Sequence, residues 1–142
     1  NDQPWRFGVV RSAELREKIA AALPEGNPAR KAIAGASAVI VLFGVPAEGE
    51  VHQGKPFYLV DCGIAGEHIY LALVERGLAS VWVSLIDGPA VCAAMGTPAD
   101  WECVGVFPIG YPLEGEYEKP PRPRKAREDV CFFEKVGQPL PF

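Results

Sequence analysis

The fold is decided by residues 61–87, which have the sequence DCGIAGEHIYLALVERGLASVWVSLID. The first part is apolar around almost the whole helical circumference, which is typical of a buried helix. We expect Asp61 to cap this helix with its carboxylate and Gly77 to end it, because these residue types are preferred at the two ends. Residues 80–84 then predict a strand, so one buried helix and one strand would form the middle of a single core. Four small residues would let another backbone pack closely against the helix: Gly63, Ala65, Gly66 and Ala72.

The composition is that of an ordinary globular protein. The chain has 142 residues, 49% of them hydrophobic and 23% charged, and this length is sufficient for a proper core. A net charge of −4 without a basic face argues against a nucleic-acid binder. The apolar runs are too short to span a bilayer. We therefore expect a cytoplasmic protein that binds neither nucleic acid nor membrane.

The four cysteines are predicted to be reduced thiols. Cys62, Cys92, Cys103 and Cys131 include no Cys-x-x-Cys pair and no histidine at ligand spacing. This pattern favours cytosolic thiols over a disulfide framework or a zinc site, so no metal is expected.

Apolar runs and alternation predict further strands. Residues 5–10 alternate, residues 38–43 form a continuous apolar run typical of a strand buried on both faces, and residues 104–109 form another. Residues 129–135 could add a strand to this sheet or to that of a partner. The first strand places three side chains on one face: Trp5, Phe7 and Val9.

Capping residues predict two further helices. Ser12 is a good N-cap for an amphipathic helix that runs to about Leu23. Asp87 is expected to cap a short helix through Met95, and Gly96 to stop it.

The C-terminal part of the chain has a different composition. From residue 113 to Lys125 prolines and charges dominate, which is typical of an extended arm and not of a packed element. Because we find no internal repeat and no interdomain linker, we interpret residues 1–142 as a single domain, of which residues 113–142 form an extended C-terminal arm.

Four motifs occur in a definite order and cover nearly the whole chain: NDQPWRFGVV, DCGIAGEHIYLALVERGLASVW, MGTPADWECVGVFPIGYP and KPPRPRKAREDVCFFEKVG. In this order they resemble the strand entry, the central helix with its Gly-Leu-x-Ser turn, the Gly-Tyr-Pro strand and the basic C-terminal arm of the nitroreductase family, the FMN-dependent oxidoreductases. The resemblance implies an α+β fold with a mainly antiparallel central sheet flanked by helices. It also implies an intertwined homodimer with FMN held at the subunit interface.

One family motif has no counterpart here. The family begins with a helix that carries Arg-Arg-Ser-x-Arg, whose side chains hold the flavin phosphate and pyrimidine. That segment would precede Asn1. Two interpretations stay open, namely that the sequence is a fragment or that the protein binds flavin more weakly.

The basic arm offers donors for the FMN phosphate. Arg122-Pro123-Arg124 is similar to the Lys/Arg-x-Arg pair that the family uses there, and guanidinium groups match phosphate oxygens in a bidentate manner. The alternative is a solvated basic run near a chain terminus.

The turn after the central strand is the second place at which the resemblance implies flavin contact. Trp82, Val83, Ser84 and Leu85 match the segment whose backbone lies along the flavin, with the N–H groups of about Ser84 and Leu85 facing N5. Such hydrogen bonds tune the flavin. The alternative is an ordinary strand end with Trp82 in the core.

Three polar residues complete the implied cofactor-binding set. Asn1 and Gln3 match residues that face the flavin from the partner subunit, and Asn27 lies roughly where another flavin-contacting Asn occurs. The alternatives are a frayed terminus for Asn1 and a turn residue for Asn27. We assign no catalytic side chain, including His52 and His68, because flavin chemistry needs no protein nucleophile.

The resemblance implies an oxidoreductase that transfers a hydride from NAD(P)H through FMN to a small-molecule electron acceptor. Nitroaromatics and quinones are the acceptors that the family suggests. The alternative is a non-catalytic flavin-binding or dimerisation module of the same fold.

Overall fold

The computed structural model describes residues 2–115, 120 and 122–141, and the chain divides into two compact units, residues 1–112 and 113–142. In chain order the elements are β1 (Trp5–Val10), α1 (Ala13–Ala21), α2 (Pro28–Gly35), β2 (Ala38–Gly44), a 3-10 turn (Pro46–Glu48), β3 (Val51–His52), β4 (Lys55–Pro56), α3 (Tyr58–Glu75), α4 (Gly88–Met95), β5 (Glu102–Ile109) and α5 (Arg127–Val130).

The first unit is built on an antiparallel sheet with the strand order β1-β2-β5. The strands predicted at residues 5–10, 38–43 and 104–109 are confirmed, and the continuous apolar run at residues 38–43 forms the central strand β2. Its register pairs Val41 with Gly8 on one side and with Val106 on the other. A separate hairpin joins β3 and β4. The predicted α+β class with a mainly antiparallel sheet is therefore confirmed.

Helices cover both faces of the sheet. Alternate residues of β2 point to opposite faces. Val39, Val41 and Phe43 belong to the core that includes residues of α1, α2 and α4. Leu42 packs with Cys62 of α3 and Phe107 of β5 in a second, smaller core. The sheet thus lies between α3 on one face and the three shorter helices on the other.

The central helix α3 begins a turn earlier than predicted. Its N-cap is Phe57, which makes no side-chain capping bond, so the prediction that Asp61 caps this helix is wrong. Tertiary contacts supply the reason, because the Tyr58 hydroxyl donates to Glu102 at 2.5 Å and the Tyr58 ring lies against Gly44. The predicted end is confirmed, since Gly77 has a left-handed φ of 67°.

Within the single chain α3 is buried along one stripe only. The buried residues recur at the spacing of one helical face: Tyr58, Cys62, Ala65, Gly66 and Leu73. The predicted burial of the whole circumference is wrong for one chain, because the helix is an outer layer with a neighbour on one side. The opposite side exposes large apolar side chains, among them Leu59, Val60, Ile64, Leu71 and Val74.

The strand predicted at residues 80–84 does not form. One isolated bridge within this range joins Val83 to Val106, and a second, just before it, joins Ala79 to Gly110. Both bridges fit one antiparallel register, which places Val81 opposite Pro108. On β5, Val106 and Gly110 each donate an N–H group to this segment. Pro108 lies midway between them and faces the same side of the strand, where it has no N–H to donate. The missing donor interrupts the ladder, while pairing of β5 with β2 on its other side is unaffected.

The capped helices are confirmed. The Ser12 side chain accepts from Leu15 N–H at the start of α1, and the Asp87 carboxylate accepts from Ala90 N–H at the start of α4. Gly96 ends α4 with a left-handed φ of 65°. Helix α2 was not predicted, although its signal is present, because an Asn–Pro pair is typical of an N-cap followed by the first helical position.

In the second unit the strand predicted at residues 129–135 is absent. The one-turn helix α5 occupies its first residues, and Cys131 N–H donates to the Arg127 carbonyl. Phe133 N–H then donates to Gln138, across a turn that includes Gly137 with a φ of 86°. The N–H groups of Cys131 and Phe133 are therefore used in local hydrogen bonds and are not available to pair with another strand. In the part of the chain that the structure describes, no helix has both the length and the apolar character needed to cross a bilayer.

Candidate functional site

A turn between α3 and α4 presents three backbone donors that bind no other described residue. Val83 N–H is bonded to Val106 at 3.0 Å, and Asp87 N–H is bonded to Ala22 at 3.1 Å. Between them, the N–H groups of Ser84, Leu85 and Ile86 meet no acceptor among the described residues. Ser84 is exposed and Leu85 is 91% exposed, so the first two donors belong to surface residues, whereas Ile86 is half-buried.

Both ends of this turn are held by the core. Val83 is buried and exchanges two hydrogen bonds with Val106 of β5. Asp87 is bonded through its backbone to the end of α1 and through its carboxylate to α4, where Ala90 N–H lies at 3.0 Å. Donors fixed at both sides lose little freedom when a ligand binds, which favours recognition.

The Trp82 ring lies inside the first unit, in a slot between α3 and β5. A Cβ added at Gly66 would lie 2.3 Å from the ring, and one added at Gly105 would lie 2.8 Å from its nitrogen. The ring also meets Phe107 edge-on, with centroids 5.0 Å apart. The absence of side chains at these two glycines leaves room for the indole. The packed indole in turn fixes the position of the backbone at Trp82, from which the chain continues to Ser84.

Gln3 lies at the entry to β1 with an unusual backbone. Its φ is 49°, a value that few non-glycine residues adopt. Its carbonyl accepts from Arg6 at 3.1 Å. It lines a cavity of about 330 Å³ together with Asp2, Trp5, Glu50, Phe57 and Asp61. Asn1, the other predicted residue at this end, lies outside the described residues.

A second cavity of about 420 Å³ adjoins the first, because both include Trp5 and Asp61. It runs along β1 and α3 and is mainly apolar. Phe7, Ile64, Ala65 and His68 complete its lining. The two cavities together offer a polar end near Gln3 and an apolar end near Ile64.

The remaining predicted residues lie elsewhere. The Asn27 side chain accepts from Ala29 N–H at 2.9 Å and so caps α2, which occupies its oxygen. Arg122 and Arg124 belong to the second unit, where each is exposed.

Burial raises the pKa of two cysteine thiols and of one tyrosine hydroxyl. It raises the pKa of Cys62 to about 11 and that of Cys103 to about 12. Burial and the hydrogen bond to Glu102 raise the pKa of Tyr58 to about 12. Thiolate is the reactive form of cysteine, so neither of these two thiols is suited to nucleophilic chemistry near neutral pH. All four cysteines are free, and the described residues hold no cluster of three or more potential metal ligands.

Two residues of this region were not predicted from the sequence. Ile86 supplies the third donor that no described residue binds. The sequence offered a signal for it, because Ile86 lies just before the helix cap Asp87 and so outside the helix. Arg6 holds the Gln3 carbonyl, but its geometry depends on Glu48, 42 residues away, which no local pattern indicates.

Comparison with known proteins gives a consistent result. The model of the nitroreductase family matches residues 25–111. A protein of Methanothermobacter thermautotrophicus, provisionally named NADH dehydrogenase/NAD(P)H nitroreductase, is 30% identical over 120 residues, which are 80% of this chain and 58% of that protein. The chain spans about three fifths of the length of the curated relatives that it matches.

Solved structures share the fold. A nitroreductase family protein from Clostridium novyi NT superposes with a TM-score of 0.75 at 27% identity, over 96% of this chain and 73% of that one. An FMN-dependent nitroreductase from Clostridium difficile R20291 has a TM-score of 0.75 at 17% identity, over 94% of this chain and 76% of that one. The second likeness concerns the fold alone.

Proposed function

This chain belongs to the nitroreductase family, and from that premise we propose that it is an FMN-dependent oxidoreductase. In this proposal NAD(P)H is the electron donor, and an electron-poor small molecule such as a nitroaromatic or a quinone is the acceptor. The observation that carries the proposal is the run of three free N–H groups at residues 84–86, held between the paired donors of Val83 and Asp87.

The residues present fit FMN. The flavin ring carries acceptor nitrogens and carbonyl oxygens, and the free donors of residues 84–86 match them in kind. Arg122 and Arg124 would hold the phosphate, because guanidinium groups bind it through two parallel hydrogen bonds. The Gln3 amide, the Trp82 and Val83 backbone, Asn1 and Asn27 complete the proposed set.

Bound FMN would supply the redox chemistry, taking two electrons and a proton from the nicotinamide and passing them to the acceptor. The residues of this chain bind and orient. Val83 and Asp87 fix the turn before any ligand arrives, so its donors need no reorganisation. Phe7 and Ile64 line the apolar cavity, which would be closed to water only when the proposed second copy covers it. No protein nucleophile is required.

The names of one sequence relative and one structural neighbour agree with the cofactors proposed. The Methanothermobacter relative carries NAD(P)H in its name, and the C. difficile protein is described as FMN-dependent. Because the chain covers only part of its curated relatives, activity, substrates and partners are all part of the proposal.

We include a homodimer in the proposal. Phe7 is 49% exposed, Val9 67%, Ile64 55% and Leu71 60%, which is unusual for apolar side chains on adjacent elements of a monomer. A second copy would cover them, with the C-terminal segment from about Arg122 crossing onto the partner and FMN at the interface. The four free thiols support a cytoplasmic location.

The test is cofactor loading followed by reduction. The purified protein is incubated with FMN and then separated from unbound FMN. It should retain a flavin absorption spectrum, and this spectrum should bleach when NADH or NADPH is added in the absence of oxygen. Retained flavin that neither nucleotide bleaches would favour the non-catalytic flavin-binding module. Failure to retain flavin would contradict the proposed function.

A further inference from the structure

We infer that Arg6 is a positioning residue that locks Gln3 in a left-handed backbone conformation and so presents the Gln3 amide to the cofactor. The inference rests on the proposed function, since it takes FMN as the ligand of Gln3. Its structural basis is the strain at Gln3, the clamp that sustains it and the cavity that Gln3 lines.

The backbone of Gln3 is strained for two reasons. A φ of 49° is sterically disfavoured for a side chain larger than glycine. Pro4 follows, and a residue before proline is normally steered to an extended conformation. Such strain persists only where surrounding contacts impose it, and it is concentrated at ligand-binding and active sites.

Arg6 supplies those contacts through one guanidinium group. Its Nη1 donates to the carbonyls of Gln3 at 3.1 Å and of Trp5 at 2.8 Å. Its Nη2 donates to both Glu48 oxygens at 2.7 Å. The group also lies over the Trp101 ring at cation–π distance, with its central carbon 5.8 Å from the ring centroid. The guanidinium plane is therefore fixed on several sides.

The neighbouring residue is pinned as well. The Pro4 carbonyl accepts from Val45 N–H at 2.7 Å, and Pro4 itself is buried. With Pro4 anchored in the core and the Gln3 carbonyl held by Arg6, the peptide between them has little freedom. The direction in which the Gln3 side chain leaves the backbone is therefore set by the clamp.

The Gln3 side chain is exposed and makes no side-chain hydrogen bond to any described residue. It lines the cavity of about 330 Å³ beside Trp5 and Asp61. A primary amide offers two donors and an acceptor. An amide on a fixed backbone is preorganised to bind a ligand. Its contribution to the affinity should therefore depend on Arg6, which fixes that backbone.

Lysine is unsuited to replace Arg6. One guanidinium nitrogen meets two carbonyls, a second meets both oxygens of one carboxylate, and the group lies over an aromatic ring. A planar group with separated nitrogens can make these contacts together, whereas an ammonium is a compact point charge. Arg6→Lys thus keeps the charge and removes the clamp.

The experiment is a double-mutant cycle read by FMN affinity. Arg6→Lys should raise the FMN dissociation constant by up to about tenfold, the equivalent of one neutral hydrogen bond at the upper end of its range. Gln3→Gly removes the amide and tolerates a positive φ, so adding Arg6→Lys to it should cause no further loss. Arg16→Lys is the matched control, because Arg16 also donates to backbone carbonyls, those of Ala34 and Arg11, and should leave FMN affinity unchanged.

A second readout needs no cofactor. In flavin-free protein, Arg6→Lys should shift the Gln3 carbon resonances from the left-handed range toward the extended range in NMR spectra. Three results would overturn the inference while leaving the proposed function intact: an equal loss of FMN affinity on Arg6→Lys with and without Gln3→Gly, no loss at all, or unchanged Gln3 resonances. Absence of FMN binding by the unmodified protein would overturn both.

Discussion

Val83 and Val106 exchange two backbone hydrogen bonds, of 3.0 and 2.9 Å, at the edge of β5. This pair sets the residue at which the chain leaves the sheet, because Val83 is the last with a bonded N–H before Asp87. The free donors of residues 84–86 follow directly from it. The site therefore depends on a contact between residues that lie 23 positions apart in the chain.

Leu85→Pro should lower the reduction potential of bound flavin. Proline has no N–H, so one proposed donor to the flavin is lost. A net hydrogen bond is worth about 0.5–1.5 kcal/mol, and a donor that stabilises only the electron-rich reduced flavin raises the potential of a two-electron couple by about 10–30 mV, which the proline variant would lose. Photoreduction beside a reference dye measures the potential.

Leu85→Ala is the matched control, because it removes the same exposed side chain and keeps the N–H. Ser84→Ala should also have little effect, since the proposed donor there is main chain. Circular dichroism checks the fold of each variant. An unchanged potential in a folded, FMN-loaded Leu85→Pro protein would show that this amide is not a flavin donor.

Gly66→Ala should destabilise the protein by about 1–3 kcal/mol, because the added methyl group overlaps the Trp82 ring and overpacking costs this much. It should also weaken FMN binding, since the ring positions the following turn. Urea unfolding measures the free energy. Gly35→Ala is the control, because a Cβ there meets nothing within 4 Å and its effect should stay within about 0.5 kcal/mol. Equal effects of the two substitutions would contradict the proposed slot.

Arg122→Ala or Arg124→Ala should weaken FMN binding by about 10- to 150-fold, which is the loss expected for about 1.5–3 kcal/mol. Riboflavin, which has no phosphate, should lose far less. Fluorescence titration measures both affinities. Lys125→Ala removes the same charge from the neighbouring position and should have a smaller effect. Equal losses for FMN and riboflavin would mean that the arginine pair does not contact the phosphate.

Ile64→Glu should dissociate the proposed homodimer. Each of the two copies would lose about 1.5–3 kcal/mol of apolar burial and gain a charge, so the dissociation constant should rise roughly a hundredfold or more. Light scattering at micromolar concentration measures the mass. Ala32→Glu, on an exposed position of α2, should leave the dimer intact. A monomeric unmodified protein would rule out the interface.

Elements with strong local signals could be predicted from the sequence. The caps Ser12 and Asp87, the stop at Gly96 and the apolar run of β2 each act within a few residues of their effect. The start of α3 could not be predicted, because it depends on the contact of Tyr58 with Glu102, 44 residues away. The strand expected at residues 80–84 failed for a similar reason, since Pro108 interrupts its ladder from a distant strand.

The same distinction applies to the candidate site. A motif indicated the turn at Ser84 and Leu85. It did not indicate where the turn begins and ends, because the residues that bind its two ends, Val106 and Ala22, are distant in sequence. The strain at Gln3 is equally invisible in a sequence, since it is sustained by Arg6 through Glu48. The individual site residues remain predictions that the experiments above test.

Amide hydrogen exchange, resolved by NMR in flavin-free and FMN-loaded protein, tests the central claim most directly. The claim is that the free donors of residues 84–86 bind the flavin. Val83 should exchange slowly in both states, because its N–H is already bonded to Val106. The N–H groups of Ser84 and Leu85 should exchange rapidly in the free protein and become protected when FMN is bound. Rapid exchange at both positions in fully FMN-loaded protein would contradict the claim.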